Sequence, residues 1–67
     1  MCRSIKQLRR PNEKATDAEL EAAALQFVRK VSGYRKPSKA NEAAFSEAVM
    51  DIAAVTRRLL DELVVRG

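Results

Sequence analysis

A chain of 67 residues holds one domain at most and, near this size, buries only about 60% of the surface its unfolded form exposes, so stability is marginal and the core thin. Apolar residues make up 46% and charged residues 33%, the balance of a folded protein rather than of a disordered tail. The 13 Lys and Arg against 9 Asp and Glu give a net charge of +4, which permits a polyanionic partner without demanding one, while the absence of His, the single Cys2 and the two glycines exclude a Cys/His zinc site, a His base, a Cys–His pair and a glycine-rich phosphate loop.

Residues 1–15, MCRSIKQLRRPNEKA, read as a basic arm with apolar residues only at Met1, Cys2, Ile5, Leu8 and Ala15, and Pro11 interrupts any helix there. Thr16 followed by Glu19 is a capping-box pattern: the hydroxyl and the carboxylate each satisfy a backbone N–H that the first helical turn leaves unpaired. Helix one is therefore expected from Asp17 to about 32. Leu20, Ala23, Ala24, Phe27, Val28 and Val31 share one face at 3.6-residue spacing, acids come early and Arg29 and Lys30 late, which suits the helix dipole. Gly33 supplies the left-handed residue that ends a helix, and Tyr34 is placed to fold back on the last turn.

Residues 34–38 form a basic turn, with Pro37 and Ser38 closing it and Ser38 offering a cap. Helix two is expected from about Lys39 to Val64, with an apolar stripe of Phe45, Ala48, Val49, Ile52, Val55, Thr56, Leu59, Leu60 and Leu63. The expected fold is all-α: an antiparallel hairpin with the arm packed on it. At 1.5 Å per residue the second helix would outrun the first by about 15 Å, so the arm is expected to lay Ile5 and Leu8 on Leu59, Leu60 and Leu63, with Arg9 and Arg10 near Asp61 and Glu62. Ala18, Ala22 and Leu25 lie on a second, narrow stripe of helix one and are the expected partner interface for self-association into four helices.

Arg29, Lys30, Arg35, Lys36 and Lys39 put five cations within eleven residues around Tyr34, with no acid among residues 29–39. A hairpin gathers them at one pole beside the N-terminus of helix two, where free N–H groups favour an anion. That pattern points to phosphates of a nucleic acid or a phosphorylated ligand, with Tyr34 stacking on a base or sugar. The competing reading is a solvated turn whose charges complement a dipole and keep the protein soluble.

The remaining chemistry is sparse. Removal of Met1 would leave the Cys2 thiol beside a free amine, without a base, acid or metal partner. Arg57 and Arg58 face outward with Asp61 and Glu62 four residues on, the spacing of surface ion pairs. Glu47 and Asp51 stand one turn apart, too few for a hard cation. No enzyme, cofactor or metal site is expected, and with no apolar run near the ~20 residues of a membrane span or the ~7 to 15 of a secretory signal, a cytoplasmic protein without membrane contact is.

Three stretches together carry a resemblance: MCRSIKQL (1–8), AALQFVRKVSGYRKPSKANEAAF (23–45) and AAVTRRLLDEL (53–63). They resemble the small bacterial family called domain of unknown function 2277, with Ser4 where an Asn is usual and a less apolar arm at QLRRPNEKAT. The resemblance implies a bacterial cytosolic protein of helical fold and brings no activity, ligand or active residue with it. Two functions follow from the residues: a non-enzymatic module whose basic turn binds nucleic-acid phosphates or a phosphorylated partner, or a homo-oligomeric or adaptor subunit with no nucleic-acid role.

Overall fold

The Thr16–Glu19 box forms as its residue types require. Glu19 donates its backbone N–H to Thr16 Oγ1 at 3.1 Å, and Thr16 N–H returns to Glu19 Oε1 at 2.8 Å. Helix α1 starts from it and spans Asp17–Ser32. The helix stops at Gly33, which takes φ 79° and donates its N–H to the Arg29 carbonyl at 2.9 Å; a side chain at that φ would meet its own backbone. Thus both ends of α1 fall where the local chemistry puts them. The computed structural model describes residues 7–10 and 13–63.

The start of the second helix departs from expectation. Ser38 Oγ accepts from Asn41 Nδ2 at 2.9 Å, and the Ser38 carbonyl takes the Asn41 N–H at 2.9 Å. The two side chains satisfy each other, so neither caps, and Lys39–Asn41 closes into a 3₁₀ turn before helix α2 begins at Glu42. Helix α2 spans Glu42–Glu62 and ends because Leu63 is extended, at ψ 135°. With 16 and 21 residues the helices are about 24 and 32 Å long. The overhang expected from a helix reaching residue 64 shrinks to roughly half.

Asp17 at the start of α1 meets Arg57 near the end of α2, at 2.7 Å, so the two helices run antiparallel and form a hairpin, packed along its length. Among the described residues the buried ones are Ala15, Leu20, Ala24 and Val28. Phe45, Ala48, Val49, Ile52, Ala53, Thr56 and Leu60 of α2 are half-buried against them, and no described residue of α2 is fully buried. The stripe read from the sequence is therefore split. Its inner half faces α1, and its outer edge, Val55 and Leu59, stays 55% exposed because a single neighbouring helix covers only about 100° of arc.

The arm packs as expected in part. Leu8 is half-buried beside Leu60 and Leu63 in a cleft of about 210 Å³, whereas Leu59 stays outside it; Ile5 lies outside the described residues. Arg9 and Arg10 line the same cleft as Asp61, near it as expected, and neither forms an ion pair with Asp61 or Glu62. Arg10 turns to Glu19 instead, and Lys14 is the arm residue that reaches Asp61, at 3.8 Å. The reason is geometric: the capping box already holds the Glu19 carboxylate still, so a guanidinium can engage both oxygens at once, which outweighs a diffuse helix-end dipole.

No helix among the described residues is long and apolar enough to cross a membrane.

Candidate functional site

The polar groups of the hairpin divide between its two ends. At the open end, where the arm and the chain's last helical turns meet, Arg10 Nη1 and Nη2 donate to Glu19 Oε2 and Oε1 at 2.9 and 2.8 Å, and Nη2 also donates to the Lys14 carbonyl at 3.0 Å. Arg10 Nε is buried without a hydrogen-bond partner, 3.6 Å from Glu13 Oε1, a contact of charge only. The arrangement holds the Glu19 carboxyl down at about 2, first through the hydrogen bonds from Arg10 and next through the Thr16 N–H, and it raises the Arg10 guanidinium. Lys14–Asp61 and Arg57–Asp17 complete the set. Arg57 was expected to face outward with Asp61; it crosses to Asp17 because it stands on the flank of α2 beside the first turn of α1, where an acid is already fixed by the dipole.

At the turn the picture is the opposite. Lys30, Arg35, Lys36 and Lys39 are exposed, and none has an ion-pair partner among the described residues. Tyr34 is 51% exposed and its backbone N–H donates to Ser32 Oγ at 3.1 Å. Arg29 differs from its neighbours. It is half-buried, and its Nε donates to the Arg35 carbonyl at 2.9 Å, so it ties the last turn of α1 to the loop. No side chain caps the 3₁₀ turn or α2; the Asn41 and Glu42 N–H groups are taken by the Ser38 and Lys39 carbonyls, so what this end offers an anion is its cations and the positive end of the helix dipole. The 13 cations of the chain less the five here leave eight against its nine acids, so the net positive charge resides in this segment.

The sequence-derived interface residues lie outside the face that α1 turns to α2. Ala18 and Ala22 are exposed and Leu25 half-buried on the outer side of α1. The larger apolar exposure is elsewhere: Phe27, Val31, Val55 and Leu59 are 46 to 66% exposed, and Leu63, Tyr34 and Met50 are exposed as well. Between the helices on that side lies an apolar cleft of about 250 Å³ lined by Leu8, Ala23, Ala24, Phe27, Ile52, Thr56 and Leu60. Two features escaped the sequence reading. The Arg10–Glu19 pairing spans nine residues across an irregular segment, which no periodicity reveals; the exposed apolar edge was legible only as a stripe broader than one neighbour could cover.

Among the described residues no three acids or Cys lie together as metal ligands, and Glu47 and Asp51 are both exposed. Cys2 lies outside the described residues. No curated protein and no solved structure matches the chain. The family model described as "Uncharacterized conserved protein (DUF2277)" matches residues 1–67, and with the whole chain matched the protein belongs to that family.

Proposed function

We propose that this is a small non-enzymatic helical interaction protein whose basic turn binds the phosphates of a nucleic acid. The observation that supports the reading is the charge of residues 29–39: five cations, no acid, and four of them exposed, without an ion-pair partner among the described residues, beside the start of the second helix. Like charges within a Debye length, about 8 to 10 Å, act together on a polyanion. Lys30, Arg35, Lys36 and Lys39 are the contacts, Tyr34 offers a ring for stacking, and Arg29 holds the loop that presents them. An extended polyanion matches charges spread over a turn better than the one or two phosphates of a modified protein. The reading makes the protein a bacterial cytoplasmic one, with no membrane and no cofactor in its mechanism.

Fluorescence anisotropy of labelled single-stranded DNA, RNA and duplex DNA tests it. Binding at ~50 mM salt should weaken roughly 40-fold by ~200 mM if about three phosphates are contacted, the slope being set by counterion release. The double variant Lys36→Glu, Lys39→Glu should lose binding to all three. A phosphopeptide in the same titration separates a phosphorylated partner from a nucleic acid. Absence of binding to any nucleic acid at ~50 mM salt overturns the reading. The other reading, a homo-oligomeric or adaptor subunit, is favoured by a separate observation, the exposed apolar side of the hairpin, and neither reading needs the other.

A further inference from the structure

Tyr34 distinguishes the basic turn from a plain run of charge. Of the chain's two Phe and one Tyr, Phe45 is half-buried on α2 and Phe27 lines the cleft between the helices, which leaves Tyr34 as the aromatic ring of the loop. Its backbone is fastened on both sides. The Tyr34 N–H donates to Ser32 Oγ at 3.1 Å, and the carbonyl of the next residue, Arg35, accepts from Arg29 Nε at 2.9 Å. The residue is nonetheless 51% exposed. Arg35 and Lys36 follow it directly, their Cα atoms within about 7 Å of its own, and both are exposed. Because the main chain is already placed, packing a flat ligand on this ring demands little further ordering of the protein.

We propose that the basic turn takes single-stranded nucleic acid in preference to duplex, a base stacking on Tyr34 while Lys30, Arg35, Lys36 and Lys39 meet the neighbouring phosphates. The proposal rests on the reading of the turn given above and names the form of nucleic acid that the turn selects. Charge alone favours the other form. A duplex carries one phosphate charge per ~1.7 Å of its axis, about twice the density along either strand, so a cluster of cations with nothing else binds the duplex more tightly. In a duplex, however, the bases cover one another's faces, and exposing one costs unstacking and unpairing. A ring outside the duplex reaches only its sugar and phosphate edge. A single strand has base faces free to stack, and every base has such a face whatever its sequence. A half-exposed ring held among unpartnered cations therefore adds to the binding of a single strand what it cannot add to that of a duplex.

The chain has one Tyr and no Trp, so its tyrosine emission reports on this ring alone. Titration of the full chain at ~50 mM salt with a short oligothymidylate, an oligouridylate and a duplex of equal length tests the proposal. The single strands should quench the emission and bind more tightly than the duplex, which should leave the emission nearly unchanged. A response to only one of the two strands supports the proposal and identifies the sugar. Tyr34→Leu keeps apolar bulk at the helix end; it should weaken single-strand binding about 5-fold or more, with the salt slope unchanged because no phosphate contact has gone, and hand the preference to the duplex. Tyr34→Phe should behave as the wild type in affinity. Should Tyr34→Leu not fold, the wild-type emission and the order of affinities decide. Duplex bound at least as tightly as the single strands, or single-strand binding that neither quenches the emission nor responds to Tyr34→Leu, overturns this proposal and leaves the turn standing as a phosphate-binding site. Absence of binding to every nucleic acid overturns both.

Discussion

The open end of the hairpin and its turn carry similar densities of charge and use them differently. At the open end three bases are fastened to acids: Arg10 on Glu19, Lys14 on Asp61, Arg57 on Asp17. At the turn four cations stand without partners among the described residues, and only Arg29 is tied down, by a backbone carbonyl rather than an acid. Exposed ion pairs stabilise little, typically 0 to 1 kcal/mol each, so the open end gains position more than energy from its pairs. What they position is the arm, which would otherwise leave Leu60 uncovered. The turn needs no such help, because Gly33 and the Ser38–Asn41 contacts shape it through the backbone. Its cations are thus spare to the fold, and this is what makes them available to a ligand.

The comparison can be broken most forcefully through what the two ends share. That is the thin core, and Leu20, 3% exposed beside the open end, is its largest buried side chain among the described residues. Leu20→Ala should cost about 2 to 3 kcal/mol, the low end for a buried leucine because the thin core can relax around it, out of a total of roughly 3 to 10 kcal/mol for a domain of this size. Urea unfolding followed by circular dichroism should show one transition moved to lower denaturant. Two separate transitions would mean that the ends are independent bodies, and the contrast between them would lose its meaning. Next in size is Gly33→Ala. Nothing lies within 4 Å of a Cβ built there, so the whole cost, about 1 to 2 kcal/mol, comes from holding alanine at φ 79°. A smaller loss would show that the turn can be made another way.

How much of this was legible in the sequence follows from how far apart the deciding residues are. Helix α1 was readable at both ends because its signals are local: Thr16 with Glu19 three residues on, and Gly33 after a periodic run. The start of α2 was misread because Ser38 has two ways to spend its hydroxyl, and the choice fell to Asn41 three residues later. The charge at the turn was countable from the chain. That Arg29 serves the loop, while its neighbours do not, depends on where the Arg35 carbonyl arrives after the backbone reverses. The Arg10 clamp and the exposed edge of α2 were beyond reach for the same reason: each is set by which segment lies alongside, and periodicity gives the width of a stripe without saying which half of it a neighbour covers.

Acid should act on one end alone. The Glu19 carboxyl is held at about 2 against an ordinary 4.5, so its pairing stabilises the fold fully above pH 4.5 and is lost as the pH falls from there toward 2. The melting temperature should decline over that window, and Glu19→Gln, which keeps the shape and removes the titration, should flatten the decline. If Glu19→Gln leaves the acid profile unchanged, the fastening of the arm does not rest on this carboxylate. The turn, having no acid in residues 29–39, has nothing to titrate there.

The smallest effect is the most telling for the turn. Lys36→Glu, Lys39→Glu should change stability by no more than about 0.5 kcal/mol, as substitutions at exposed positions without partners do. The sign should be slightly favourable: an acid at residue 39 opens the 3₁₀ turn and precedes α2, near the positive end of its dipole. Thermal melting in low salt reads it. A neutral or stabilising result combined with lost nucleic-acid binding would separate what these lysines do for a ligand from what they do for the fold. A destabilisation of 1 kcal/mol or more would instead mean that the turn depends on its cations as the open end depends on its pairs, and the two ends would then differ in degree only.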